Sequence, residues 1–116
     1  MDIARQEHGS VVCLALAGSL DRDGALRLFE ELGPLLSRRT TRVVVDLEQL
    51  EYINSIGYGM IIRLLKRASD NRSQLVLSGL RGFVRENFEQ MNYTRLYPVY
   101  ETSAEAIAAL GREEHP

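Results

Sequence analysis

The sequence predicts a single α/β domain, with a mixed, mostly parallel sheet of four to five strands, an N-terminal antiparallel hairpin and about four helices. Three observations predict it. A length of 116 residues suits one domain and leaves no room for two. Apolar, β-branched runs alternate with stretches of helical periodicity, in the order β-β-α-β-α-β-α-β-α. Strands alternating with helices favour right-handed crossovers and parallel pairing, and the opening β-β unit adds the antiparallel edge. Hydrophobic residues make up 45% and charged residues 26%, ordinary globular usage that excludes global disorder. The domain is expected to occupy residues 1–111, with 112–116 a polar tail that frays.

Each element has its own signal. Ile3–Glu7 and Ser10–Ala17 flank a His8-Gly9 turn and read as the hairpin. Gly24–Ser37 carries Leu28, Leu32, Leu35 and Leu36 at helical spacing, with Asp21 or Asp23 as the cap. Gly33-Pro34 predicts a kink or an early end to that helix. Arg42–Leu47 is β-branched and nearly all apolar, the pattern of a central strand buried on both faces. Ser55–Asp70 is the longest helical stretch, and Gln74–Ser78 is the next strand. Arg81–Met91 sets Val84, Phe88 and Met91 on one helical face. Leu96–Tyr100 contains Pro98, so it belongs at an edge or a strand end. Ala104–Leu110 opens with the capping-box run Thr102-Ser103-Ala104-Glu105, and Gly111 predicts its end.

Composition excludes several classes of function. A net charge of -2 argues against a duplex nucleic-acid binder, and Arg81-Gly82-Phe83-Val84-Arg85 reads better as the exposed start of an amphipathic helix. Cys13 is the only cysteine and lies in an apolar run, as a buried, inert thiol would. His8 and His115 lie near opposite termini without cysteine partners, so neither a metal site nor a cofactor is expected. No apolar run approaches the ~18 residues of a membrane span, and no signal peptide is evident, which predicts a cytoplasmic protein without membrane contact. Catalysis is not expected either. No histidine is placed to serve a serine, the Gly-x-Ser-x-Gly elbow is absent, and Asp21 with Asp46 read as solvated structural acids. Gly57-Tyr58-Gly59 alone is no dinucleotide fingerprint, which leaves a small-ligand sensor without support.

The informative stretch runs from Val43 to Ile62, where a buried strand leads into a helix whose start contains Ser55, Gly57 and Gly59. Two glycines there cost up to ~1 kcal/mol each relative to alanine, and close approach of another backbone or a partner is the usual reason to keep them. At about 100° per residue, Met60, Ile61, Leu64, Leu65 and Ala68 gather with Gly57 on the core side. Ser55, Gly59, Ile62 and Lys66 fall opposite, flanked by Tyr58 and Arg63. A hydroxyl, a bare backbone patch, an apolar side chain and basic residues together look like a docking surface. The alternative is that Ser55 is a helix N-cap and Ile62 an ordinary exposed apolar residue.

Val45-Asp46-Leu47 through Ile53-Asn54-Ser55-Ile56-Gly57-Tyr58-Gly59 resembles the signature of the STAS domain, shared by anti-sigma factor antagonists, stressosome proteins and sulphate-transporter tails. The likeness covers nearly the whole chain: Gly18-Ser19-Leu20-Asp21 resembles the family's turn before the first helix, and Val99-Tyr100 with Thr102–Leu110 its closing strand and helix. The resemblance implies that Ser55 is the phosphoacceptor. The partner-binding set expected is Asp21, Asn54, Ile56, Gly57, Tyr58, Gly59, Ile62 and Arg63, and convergence of loops at the carboxyl ends of an open α/β sheet makes Asp21 and Asp46 candidate acidic neighbours of the serine. The chain departs from the family pattern at Asn54, where many antagonists carry Asp, and at Ile56, where a second Ser or Thr is common. The implied partners are a serine-kinase anti-sigma factor and a serine phosphatase, met by a monomer or weak dimer. ATP and magnesium would sit on the kinase. The competing expectation is a scaffold, stressosome-like or lipid-transport accessory module whose same face binds a partner without phosphorylation.

Overall fold

The computed structural model describes residues 1–38 and 40–112. Its elements are β1 (Asp2–His8), β2 (Val11–Leu20), α1 (Arg22–Leu36), β3 (Arg42–Ile53), α2 (Ser55–Asp70), β4 (Gln74–Ser78), α3 (Gly82–Gln90), the single turn α4 (Tyr93–Leu96), β5 (Val99–Tyr100) and α5 (Ser103–Arg112). The five strands lie side by side in sequence order. β1 and β2 are antiparallel, and β2 to β5 are parallel. Consecutive parallel strands are thus neighbours, and crossovers of one hand put α1, α2 and α3 on the same face.

That face holds the main core. Leu14, Leu16, Val43, Val45, Leu47, Leu75 and Leu77 point from the sheet into Leu28 and Leu32 of α1, Ile61, Leu64 and Leu65 of α2, and Val84 and Phe88 of α3. Val11, Cys13, Val44 and Val76 alternate to the other face, where Ala106 and Leu110 of α5 cover them. The apolar run in β3 is therefore buried on both sides, as its composition predicts. Pro98 precedes the two-residue β5 at the sheet edge, where a missing N–H costs no ladder bond.

Four expectations need correction. α1 runs through Pro34 to Leu36, because a proline in the last turn removes only one intrahelical bond and Gly33 O still accepts from Ser37 N at 3.1 Å. α5 continues through Gly111 to Arg112, a glycine being tolerated within a helix at modest cost. Gly18-Ser19-Leu20 is strand rather than turn: β2 stays paired to β3 through two register shifts, and Gly18 takes φ +100° there. β3 likewise extends to Ile53, so only Asn54 separates it from α2. The proposed tail, with His115, lies outside the described residues apart from Arg112. Among the described residues no helix is long and apolar enough to cross a membrane.

Candidate functional site

The extended ends of β2 and β3 create the site. Leu20 and Ile53 are register partners and both are buried, so the two chains leave the sheet side by side. Each is followed by one cap residue and then a helix. Asp21 Oδ1 accepts from Gly24 N at 3.1 Å, and Asn54 Oδ1 accepts from Gly57 N at 3.0 Å. The two starts are copies of one device, an apolar residue, a side-chain cap and a glycine three residues on. Both glycines are needed for the same reason. A Cβ on Gly24 would sit 2.7 Å from Ser19 O, and one on Gly57 would overlap the Leu20 carbonyl. Asn54 N also donates to Leu20 O at 3.4 Å, tying the second cap to the first strand.

Ser55 is therefore the first helical residue of α2, not its N-cap, since Asn54 fills that role. Ser55 is exposed, and its hydroxyl has no hydrogen-bond partner among the described residues. Ile56 beside it is 51% exposed. Gly59, one turn on, is exposed and a Cβ there would meet nothing within 4 Å. Asp21, half-buried, stands one residue beyond a strand pair that is ~4.8 Å apart, and so lies next to the Asn54-Ser55 turn.

Other expected members sit differently. Gly57 is buried, so it permits the close approach of α2 to Leu20 and offers no contact area itself. Tyr58 is half-buried, its ring 5.2 Å from Phe88 and 6.1 Å from Tyr93, because α3 and α4 close over that side of α2. Ile62 is half-buried against the main core rather than fully outward. Arg63 is exposed and lays its guanidinium over Phe29 of α1 at 5.6 Å, with Arg67 on the same ring at 5.5 Å. Asp46 is not beside the serine. It lies about 23 Å of strand before Ile53, at ~3.3 Å per residue, where Oδ1 accepts from Ser78 Oγ at 3.2 Å and Glu48 N at 3.3 Å.

One pair escaped the sequence reading. Tyr52 and Phe83 stack with centroids 5.6 Å apart and an interplanar angle of 6°, and they are 45% and 50% exposed. Tyr52 precedes the Ile53-Asn54-Ser55 turn, and Phe83 opens α3. Arg81 reaches back to Glu48 of β3 at 3.1 Å, an exposed ion pair between the start of α3 and the same strand. No local periodicity reveals a contact between positions so far apart in sequence.

The model of the family described as Mlab, STAS domain, matches residues 3–98. The chain belongs to the STAS domain family. BtrV of Bordetella bronchiseptica is 29% identical over 109 residues, covering 94% of each chain. The anti-sigma-F factor antagonist RsfB of Mycobacterium tuberculosis is 26% identical over 107 residues, 90% of this chain and 84% of that one. The crystal structure of an anti-sigma factor antagonist from Mycobacterium paratuberculosis superposes with TM-score 0.82 at 19% identity, covering 94% of this chain and 92% of the other. The phosphorylated form of the Bacillus cell fate determinant SpoIIAA superposes with TM-score 0.73 at 16% identity, over 94% and 99% of the two chains. At those identities the superpositions speak to fold alone.

Titration in this STAS domain is shaped by its aromatic flank and its sheet. Burial first, then Tyr97, raises the Tyr58 hydroxyl above its usual range. Burial raises Tyr93 further, with Tyr58 and Tyr97 adding to it. Burial and then the charge of Asp46 raise the Cys13 thiol, so Cys13 is no thiolate nucleophile at neutral pH.

Proposed function

We propose that this STAS domain is an anti-sigma factor antagonist. It docks on a serine-kinase anti-sigma factor through the surface around Ser55, and phosphorylation of Ser55 by that kinase separates the two. A serine phosphatase resets the cycle, and the chain itself acts by binding rather than by catalysis. The carrying observation is an exposed hydroxyl, without a partner among the described residues, on the first residue of α2, beside exposed Ile56 and open Gly59, in a STAS fold whose relatives bear antagonist names.

The physics of the switch follows from that position. A phosphate adds about -1.5 to -2 charges at neutral pH. At a helix start, free N–H groups and the helix dipole accept such a charge, so the fold tolerates it. The effect must be felt by the partner. Asp21 and Asp23 stand at the neighbouring helix start, so the phosphate joins two carboxylates on one surface. Moving an equilibrium from 99:1 to 1:99 takes about 5.5 kcal/mol, and like charges in an interface supply several kcal/mol.

Incubation with ATP and a serine-kinase anti-sigma factor from the same organism, read by intact mass and fragmentation, should add one phosphate at Ser55. Ser55→Ala should bind the kinase and resist release, whereas Ser55→Glu should bind weakly. Equal binding by these two variants, with no mass addition, would leave the constitutive scaffold and remove the switch.

A further inference from the structure

We infer that the Tyr52–Phe83 stack is the affinity-setting contact of the docking surface and seats an apolar side chain of the anti-sigma factor. The inference rests on the antagonist reading and extends it to residues on β3 and α3. Among the described residues the exposed large hydrophobics are Leu26, Tyr52, Ile56, Phe83 and Met91. Single exposed apolar residues are ordinary, but Tyr52, Ile56 and Phe83 come from three elements and converge on the carboxyl edge of the sheet, where Ser55 also lies.

The pair is also held in place before any partner arrives. With a 6° interplanar angle, each ring packs one face against the other. The Arg81–Glu48 ion pair at 3.1 Å joins the two elements that carry them. Rigid aromatic side chains lose little entropy on binding, and aromatics dominate interface hot spots.

Interface size brings the stack within reach of the partner that docks at Ser55. A standard interface covers about 800 Å² on each partner, a patch with a radius of roughly 16 Å. Tyr52 precedes Ser55 by three residues, at most ~11 Å of extended chain, and Phe83 lies 5.6 Å from Tyr52 between ring centroids. A footprint of that size centred on Ser55 therefore reaches Tyr52, and with it the stack. The Arg81–Glu48 pair and Asp21 then form a polar rim around an apolar centre.

The test measures affinity of the full chain for a serine-kinase anti-sigma factor from the same organism by calorimetry, with thermal unfolding of each variant alongside. Phe83→Ala and Tyr52→Ala should each weaken binding about tenfold or more, and the double variant should fall short of the product because the rings act as a unit. Met91→Ala, equally exposed at the far end of α3, should bind as wild type. Both ring variants binding within about twofold of wild type, while Ser55→Glu is impaired, would overturn the inference and leave the antagonist reading standing. Wild-type chain that fails to bind would overturn both.

Discussion

Gly57 and Gly59 are two residues apart in one helix, and alanine at each should move stability in opposite directions. At Gly57 the new methyl would overlap the Leu20 carbonyl oxygen and lie 2.9 Å from both Leu20 C and Leu20 Cγ. The first turn of α2 must then move away from β2 by about 1 Å or more to restore contact distances. Overpacking of that kind costs about 1–3 kcal/mol. The displacement also stretches the Asn54 N to Leu20 O bond, already 3.4 Å, and the Asn54–Gly57 cap at 3.0 Å. A lost cap costs ~1 kcal/mol, so Gly57→Ala should destabilise by about 2–4 kcal/mol and lower Tm by roughly 8–16 °C at ~4 °C per kcal/mol. At Gly59 nothing lies within 4 Å of a Cβ. Alanine there should stabilise by up to ~1 kcal/mol through helix propensity. Urea unfolding followed by circular dichroism reads both changes. Gly57→Ala within ~1 kcal/mol of wild type, or a destabilised Gly59→Ala, would refute the division of labour between the two glycines.

Two further outcomes concern buried groups. Tyr93 is fully buried and its hydroxyl has no partner among the described residues, so Tyr93→Phe should be neutral or stabilising by ~1 kcal/mol in urea unfolding. Folding raises the Tyr93 and Tyr58 pKa values, so the native state keeps protons that the unfolded chain releases. The tyrosine contribution to stability should thus be level below about pH 10 and fall above it, with a smaller fall in Tyr93→Phe. Cys13, 7% exposed with a raised pKa, should resist thiol reagents at about pH 8 until the protein is unfolded. Rapid native-state labelling would contradict that placement.

Legibility in the sequence varied with how local each signal was. α2 spans Ser55–Asp70 and β4 spans Gln74–Ser78, the same bounds that periodicity and composition predict. In both, the burial pattern lies within the segment itself. The second half of β3 was invisible because Glu48, Gln49 and Glu51 read as loop, and only pairing with Ala17–Leu20 makes them strand. That same extension moves Asp46 away from the serine and brings Asp21 beside it. Tyr52–Phe83 and the Gly57–Leu20 approach are tertiary, so the sequence could show that two glycines needed a reason but not that the reasons differ. The single-turn α4 carries no periodicity long enough to read.

Phosphate on Ser55 acts, in the proposed switch, on a platform that has little freedom to change shape. The turn between β3 and α2 is one residue long, and that residue both caps α2 and donates to Leu20 O. Asn54 makes the cap bond without a charge, whereas Asp21 makes the equivalent bond with one. A phosphate at position 55 therefore meets the carboxylate of the neighbouring cap but none at its own. The N–H groups of α2 offset part of that repulsion, and no hinge is available to relieve the rest by rearrangement. The added charge must then be met by whatever covers Ser55, which is the condition for a switch that releases a partner while leaving its own fold unchanged.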